Sequence, residues 1–102
     1  MNLPIAYLDY RTKGHLSEAF LTDEFAGYMM LWPVENVEQF NMEYEVPKHA
    51  PGFLCFGSNG GGELLAFDEN GAIFCIPAIG MEPKYAKRIA DSWPEFERYI
   101  ER

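Results

Sequence analysis

The sequence has few residues of the kinds that bind metals or form cross-links. Its 102 residues include two cysteines and two histidines. His15 and His49 lie 34 residues apart, with no second histidine or cysteine at ligand spacing. Cys55 and Cys75 each fall within an apolar run, where a reduced thiol packs as a small hydrophobic group. We therefore expect no metal site, no cofactor and two buried free thiols.

Long apolar segments are also missing. No run approaches the roughly 18 apolar residues that a membrane-spanning helix needs. The amino terminus lacks the basic and then apolar order of a secretory signal. These absences predict a cytoplasmic protein without a membrane partner, and the reducing cytoplasm agrees with unpaired cysteines.

Basic residues are scarce through the middle of the chain. The net charge is −8, and the segment from Glu18 to Glu69 contains ten acids and one base, Lys48. From Glu82 to Arg102, five acids balance five bases. A one-signed field of this kind repels phosphate backbones and attracts basic proteins. It argues against nucleic-acid binding.

What the sequence does contain is enough apolar material for one core. Hydrophobic residues make up 48% and aromatic residues 16%, and a chain of this length forms one domain of about 100 residues. We expect residues 1–102 to be a single domain.

The first half predicts a helix, a strand and a second helix. Leu3 to Lys13 has apolar residues on most faces and is followed by Gly14 as a C-terminal cap. The apolar run from Gly27 to Val34 reads as a strand that ends at Pro33. Glu35 to Tyr44 has the spacing of an amphipathic helix. Pro47 and the Pro51-Gly52 pair then break the chain.

The second half predicts three strands and one or two helices. The strands cover 53–58, 63–67 and 72–79, and Asn70-Gly71 favours a hairpin turn between the last two. Helices are expected at 83–91 and after Ser92, which forms a capping box with Glu95. The fold class is therefore α+β: a small, largely antiparallel sheet, with a central three-strand meander plus one or two more strands, flanked by helices.

Motifs that suggest chemistry have structural alternatives. The segment Gly57-Ser58-Asn59-Gly60-Gly61-Gly62 resembles a phosphate loop, but Glu63 and an apolar strand follow it, not a lysine and a helix. Asp68-Glu69-Asn70-Gly71 reads as a turn. No serine or cysteine is placed near a histidine by the sequence, so we predict no enzyme. Trp32 and Trp93 are either core residues or interface anchors.

The motif series over most of the chain resembles the SUKH superfamily, which includes the yeast Smi/Knr cell-wall synthesis regulators. The residues that carry this resemblance are Leu3-Pro4, Tyr7, Trp32, Pro33, Asn41, Tyr44, Gly57, Ser58, Asn59, Gly60, Gly61, Gly62, Ser92 and Phe96. The resemblance implies an α+β fold and a protein-binding role. Bacterial members serve mainly as immunity proteins that block toxins, many of them nucleases.

On that basis the main hypothesis is an immunity protein that neutralises a basic, nuclease-type toxin. The alternative is a regulatory scaffold domain that binds endogenous proteins. The candidate interface is an acidic face, drawn from Glu35, Glu38, Glu43, Glu45, Glu63, Asp68 and Glu69. Relatives carry a further helix before the Leu-Pro motif, which is absent ahead of Leu3 here. We therefore expect exposed apolar surface and a possible homodimer.

Overall fold

The computed structural model describes residues 1–22 and 27–102. Two acids of the acidic segment, Asp23 and Glu24, lie outside the described residues. In chain order the elements are α1 (Ile5–Thr12), β1 (Glu18–Phe20), β2 (Tyr28–Leu31), α2 (Val37–Glu43), α3 (Val46–His49), β3 (Leu54–Ser58), β4 (Glu63–Phe67), β5 (Ile73–Pro77), β6 (Lys87–Ala90) and α4 (Trp93–Glu97). Short 3₁₀ helices span Val34–Asn36 and Pro83–Tyr85.

The strands form one antiparallel sheet whose spatial order follows the chain, β1-β2-β3-β4-β5-β6. The predicted central meander is confirmed as β3, β4 and β5. The described residues contribute three further strands, where we expected one or two. The unpredicted strand Glu18–Phe20 is three residues long, too short for alternation to show in the sequence.

One face of the sheet packs against α1 and α4. The cluster there is built around rings that meet edge to face, with Tyr7 of α1 and Trp93 of α4 at 4.7 Å between centroids. Phe56 and Phe67 of the sheet stack at 4.2 Å beneath them. Fully buried aromatic side chains contribute large apolar areas, so this cluster supplies much of the stabilisation.

The opposite face is covered by α3. Val46 and Ala50 pack there on Cys55, Leu64 and Ala66. Burial on both faces explains why the central strands are almost continuously apolar. The expectation that helices flank the sheet is confirmed, and the protein has an α+β fold.

The C-terminal residues cover the outer edge of β1. The amide of Thr22 donates to the Tyr99 carbonyl at 2.7 Å, and the amide of Glu101 donates to the Phe20 carbonyl at 2.9 Å. Leu21 and Ile100 form an antiparallel bridge between them. The Phe20 carbonyl and the Thr22 amide, which this edge would otherwise present to other chains, are thus paired within the protein.

The helix predicted over 83–91 is wrong. Pro83–Tyr85 is a 3₁₀ turn, and Lys87–Ala90 is the edge strand β6, which pairs with β5 through Ile73 opposite Ala90. The spacing of Ile89 and Ala90 suited a helix, but the open backbone groups of β5 require a strand partner. Tertiary pairing therefore overrides the local pattern.

Three other boundaries differ from the predictions. Pro47 does not break the chain, because it occupies the first turn of α3, where a proline amide is not needed. The helix expected over 35–44 begins as a 3₁₀ turn and becomes α-helical at Val37. The helix expected after Ser92 is five residues long, and Ile100 beyond it is buried in the bridge to Leu21.

Candidate protein-binding groove

A groove of about 1260 Å³ runs between α1, α2 and the chain from α3 into β3. One wall is the outer side of α1, with Ile5 and Leu8, and the other is α2 with Met42. Its remaining lining comes from Met1, Asn2, Leu3, Val34, Val37, Glu38, Asn41, Pro47, Pro51, Gly52, Phe53, Leu54 and Glu69.

Large apolar side chains in this groove face solvent. Ile5 is 86% exposed and Met42 is 69% exposed, and Met1 and Leu8 are also exposed. Scattered apolar residues are normal on a protein surface, but a contiguous group in a concave site marks a place where another molecule binds. A partner that binds in the groove would therefore bury apolar surface that is exposed in the protein alone.

The charged side chains on the groove lining are both acidic. They are Glu38 on α2 and Glu69 in the turn after β4, both exposed. Of the residues described in the structure, no lysine or arginine lines the groove. Glu35 is also exposed and lies next to the lining residue Val34. A partner with basic groups beside an apolar stripe would match this arrangement.

Two more candidate acids lie at the C-terminal end of α2. Glu43 accepts a hydrogen bond from the side chain of Gln39 at 2.8 Å. Glu45 has φ of 56°, a left-handed conformation that lets α2 end and α3 begin at once. Its carboxylate lies 3.6 Å from His49. Both acids are exposed, so each remains available to a partner.

Glu63 is held inside the glycine-rich connection. Its carboxylate accepts a hydrogen bond from the side-chain amide of Asn59 at 3.0 Å. The side-chain oxygen of Asn59, Oδ1, in turn accepts from the backbone amides of Gly61 and Glu63, at 2.8 and 3.2 Å. Gly60 and Gly62 adopt positive φ of 77° and 91°, which glycine tolerates at little cost. The motif thus forms a turn that is held by hydrogen bonds between its own residues.

Asp68 has a similar role at the other end of β4. Its Oδ1 accepts hydrogen bonds from the amides of Asn70 and Ala72, each at 2.9 Å. Its second oxygen lies 4.0 Å from the Arg88 guanidinium. This is an aspartate turn of the kind that closes hairpins, in agreement with the turn interpretation of the sequence.

The seven candidate acids are spread over several elements of the fold. Glu63 begins β4, while Asp68 and Glu69 follow its last residue, so a five-residue strand of about 15 Å separates them. The groove brings together Glu38 and Glu69, which lie 31 residues apart in the sequence. The structure therefore separates Glu38 and Glu69, which line the groove, from Glu63 and Asp68, whose carboxylates form hydrogen bonds within turns.

Several motif residues carry the join between β2, β3 and α2. The buried side-chain amide of Asn41 donates to the Cys55 carbonyl and accepts from the Cys55 amide. A Cβ on Gly57 would lie 2.5 Å from the Met30 carbonyl oxygen, so only glycine fits there. Ser58 pairs with Met30 on one side and Leu64 on the other.

The remaining motif residues start and support helices. The Trp32 ring stacks on Tyr44 at 5.8 Å, and Pro33 precedes the 3₁₀ turn at Val34. Ser92 caps α4 by accepting from the Glu95 amide at 3.3 Å. The Glu95 carboxylate reaches the amide of Asp91, one residue before the position a reciprocal capping box would use. Phe96 is buried against Trp93.

Trp93 is a core residue and Trp32 lies at the core edge, half-buried. The two cysteines are free, as the sequence predicted, with Cys55 buried and Cys75 half-buried. Burial raises the pKa of the Cys55 thiol to about 12 and that of Cys75 to about 11. Such thiols are weak nucleophiles at neutral pH.

Sequence reasoning missed the apolar groove residues Ile5, Leu8 and Met42. Two signals pointed to them. Apolar residues crowd most faces of α1, although one helix buries only one side, and Met42 lies on the otherwise polar side of α2, beside Glu38 and Gln39. Within residues 1–22 and 27–102, no group of three or more histidine, cysteine or acidic side chains is arranged to hold a metal ion.

A family model described as SMI1 / KNR4 family (SUKH-1) matches residues 3–98. The chain belongs to the SMI1/KNR4 family. The match spans nearly all of the sequence and confirms the resemblance carried by the Trp-Pro and glycine-rich motifs.

The six-stranded α+β fold is consistent with SMI1/KNR4 membership, and membership points to protein–protein interaction in general. No curated protein matched the chain. Among the helices of the described residues, none has the length and apolar character needed to cross a membrane.

Proposed function

We propose that this SMI1/KNR4-family protein is a non-enzymatic immunity protein of the cytoplasm that binds and neutralises a basic, nuclease-type toxin domain. The observation that carries the proposal is the groove that is lined by exposed apolar side chains, among them Ile5 and Met42, and by the acidic groups Glu38 and Glu69. The apolar walls would supply affinity and the acids would supply orientation.

Charge supports the choice of a basic partner. The chain has a net charge of −8, and its acids are concentrated between Glu18 and Glu69. A nuclease domain presents a positive surface to phosphates, and an acidic protein that covers this surface competes directly with the substrate. Steering by opposite charges also speeds association, which a neutralising protein needs.

The first test is affinity capture from lysates of the source cell and of competing neighbours, washed at low and high salt. We expect a basic, nuclease-sized domain that is retained at low salt and released at high salt. The nuclease activity of the captured domain should then fall in proportion to added protein, with complete inhibition at equimolar ratio. Capture of resident proteins alone would contradict the immunity role.

A second test uses charge variants with the purified partner. The triple variant Glu35→Gln/Glu38→Gln/Glu69→Gln should slow association and flatten its dependence on salt. The control triple variant Glu18→Gln/Glu82→Gln/Glu101→Gln changes the net charge equally, but none of its residues lines the groove or adjoins a lining residue in the chain. Equal effects of both triple variants would mean that net charge, and not the groove, governs association.

The second candidate function is a regulatory scaffold domain that binds endogenous proteins, which family membership also accommodates. In that case the captured partner is a resident protein without toxic activity. Self-association stays a prediction from the sequence, and sedimentation across micromolar concentrations tests it. A strictly monomeric mass would contradict the homodimer.

A further inference from the structure

Resting on the proposed function, we infer that the groove takes one amphipathic helix of the partner, with an apolar stripe flanked by lysine or arginine. The walls of the groove are two helices, α1 and α2, with exposed Ile5 on one and exposed Met42 on the other. A third helix laid between two helices buries side chains at positions i, i+3, i+4 and i+7.

The length of α1 limits its contact with a partner helix. α1 has eight residues and spans about 12 Å at 1.5 Å per residue, and two of its residues, Ile5 and Leu8, line the groove. A partner helix that lies along α1 would contact it over at most about two turns, or roughly eight residues. That length provides three or four apolar positions, enough to cover Ile5, Leu8 and Met42.

Binding by strand addition fits the sheet less well. The outer edge of β1 is paired with the C-terminal residues through Tyr99 and Glu101. At the other end of the strand order, β6 carries exposed Lys87 and Arg88, which repel a basic segment. The side-chain groove is therefore the better surface for a basic partner.

Charge also decides against a second copy of this chain as the occupant. Each copy carries a net charge of −8, and pairing two grooves would bring Glu38 and Glu69 of both copies together. Like charges placed face to face across an interface cost free energy. A helix with basic flanks gains from the same groups.

The test uses a defined probe, an 18-residue, terminally blocked peptide of leucine and lysine with leucines at helical spacing. Two comparison peptides keep its length: one scrambles the order to remove the stripe, and the other replaces lysine with glutamate. Titration calorimetry gives affinities, and ¹⁵N–¹H spectra show which amides respond. We expect the striped basic peptide to bind best, with shifts concentrated at the groove residues Ile5, Leu8, Met42 and Phe53.

Glutamate variants at exposed apolar positions then test where the peptide binds. Met42→Glu and Ile5→Glu should weaken peptide binding about tenfold or more, since a charge is placed in the apolar contact. Met30→Glu is the control, because Met30 is also exposed but lies on β2, outside the groove lining. All three side chains are exposed, and circular dichroism checks that each variant folds.

Three outcomes overturn the inference: equal binding of the scrambled peptide, shifts spread over the whole acidic surface, or loss of binding in Met30→Glu in place of Met42→Glu. Failure of the proposed function looks different. If a captured toxin binds the Met42→Glu variant as tightly as the parent protein, the groove is not the binding site, but the immunity function is retained. If the peptide binds in the groove but only resident proteins are captured, the immunity function is contradicted, but the groove is still a site for an amphipathic helix.

Discussion

The side chain of Asn41 pairs with the backbone of Cys55 as a neighbouring strand would. Its Nδ2 donates to the Cys55 carbonyl at 2.8 Å, and its Oδ1 accepts from the Cys55 amide at 2.9 Å. The β2 ladder has ended at Leu31 opposite Gly57, so Cys55 pairs with Ala66 of β4 on one side and with no β2 residue on the other. Asn41 thereby attaches α2 to the edge of β3.

Replacing Asn41 with alanine should destabilise the protein by about 2–4 kcal/mol, because buried amide and carbonyl groups of Cys55 lose their partner. Urea unfolding followed by circular dichroism measures the change. Gln39→Ala on the same helix is the control, since its exposed side chain bonds only to Glu43 in the described contacts. Similar stability losses in the two variants would contradict the role assigned to Asn41.

Gly57→Ala should cost about 3 kcal/mol or prevent folding, because the added Cβ would lie 2.5 Å from the Met30 carbonyl oxygen. The matched control in the same motif is Gly61→Ala. A Cβ at Gly61 meets its nearest atom at 3.5 Å, and Gly61 is not among the positive-φ glycines. A Gly57→Ala protein as stable as Gly61→Ala would show that β2 and β3 can separate freely.

Asp68→Ala should lower the free energy of unfolding by about 1–2 kcal/mol, since two turn amides lose their acceptor. Asp68→Asn keeps an acceptor at Oδ1 and should recover most of that loss. Glu69→Ala, one residue away and exposed, should leave stability nearly unchanged. If Asp68→Ala is as stable as Glu69→Ala, the turn does not depend on the aspartate.

Alkaline pH should destabilise the fold. Burial raises the pKa of Cys55 and of Tyr7 to about 12 in the folded protein, whereas in an unfolded chain these groups titrate near about 8.5 and 10. The folded state keeps protons that the unfolded chain releases, so this stabilisation is complete below the unfolded pKa values. It is lost as pH rises, at about 1.4 kcal/mol per pH unit for each group.

Unfolding in urea between pH 7 and pH 11 checks this prediction. Cys55→Ala should reduce the fall in the free energy of unfolding that begins at about pH 9. Tyr7→Phe should reduce the fall above about pH 10. Each variant serves as the control for the other. A flat profile in the parent protein would contradict burial of both groups.

Most of the central fold follows from local signals. Local patterns predict where the main elements lie. Apolar runs indicate β3, β4 and β5, Asn70-Gly71 indicates the turn between the last two, and Ser92 marks the start of α4. Helix and strand remain ambiguous where the run is short, as at Lys87–Ala90. There the open edge of β5 decides the outcome, and no local window contains that edge.

The candidate site was less predictable. Acidic composition indicated a basic protein partner, but it could not separate Glu63 and Asp68, which serve turns, from Glu38 and Glu69, which line a groove. Whether an acid serves a turn or lines the groove depends on hydrogen bonds within turns and on contacts between residues that are distant in the chain. Amino-acid composition contains neither kind of information.

The sequence by itself determined the α+β fold class, the strong negative charge, the free thiols and the family, because composition, turn residues and motifs act locally or as totals. Only the tertiary structure decided that β1 and β6 extend the sheet, that Asn41 pairs with the backbone of Cys55, and that Ile5 and Met42 line one groove together with Glu38 and Glu69. Each of these depends on backbone groups and side chains from separate segments meeting in space, and that meeting is decided by burial and hydrogen-bond satisfaction across the whole chain.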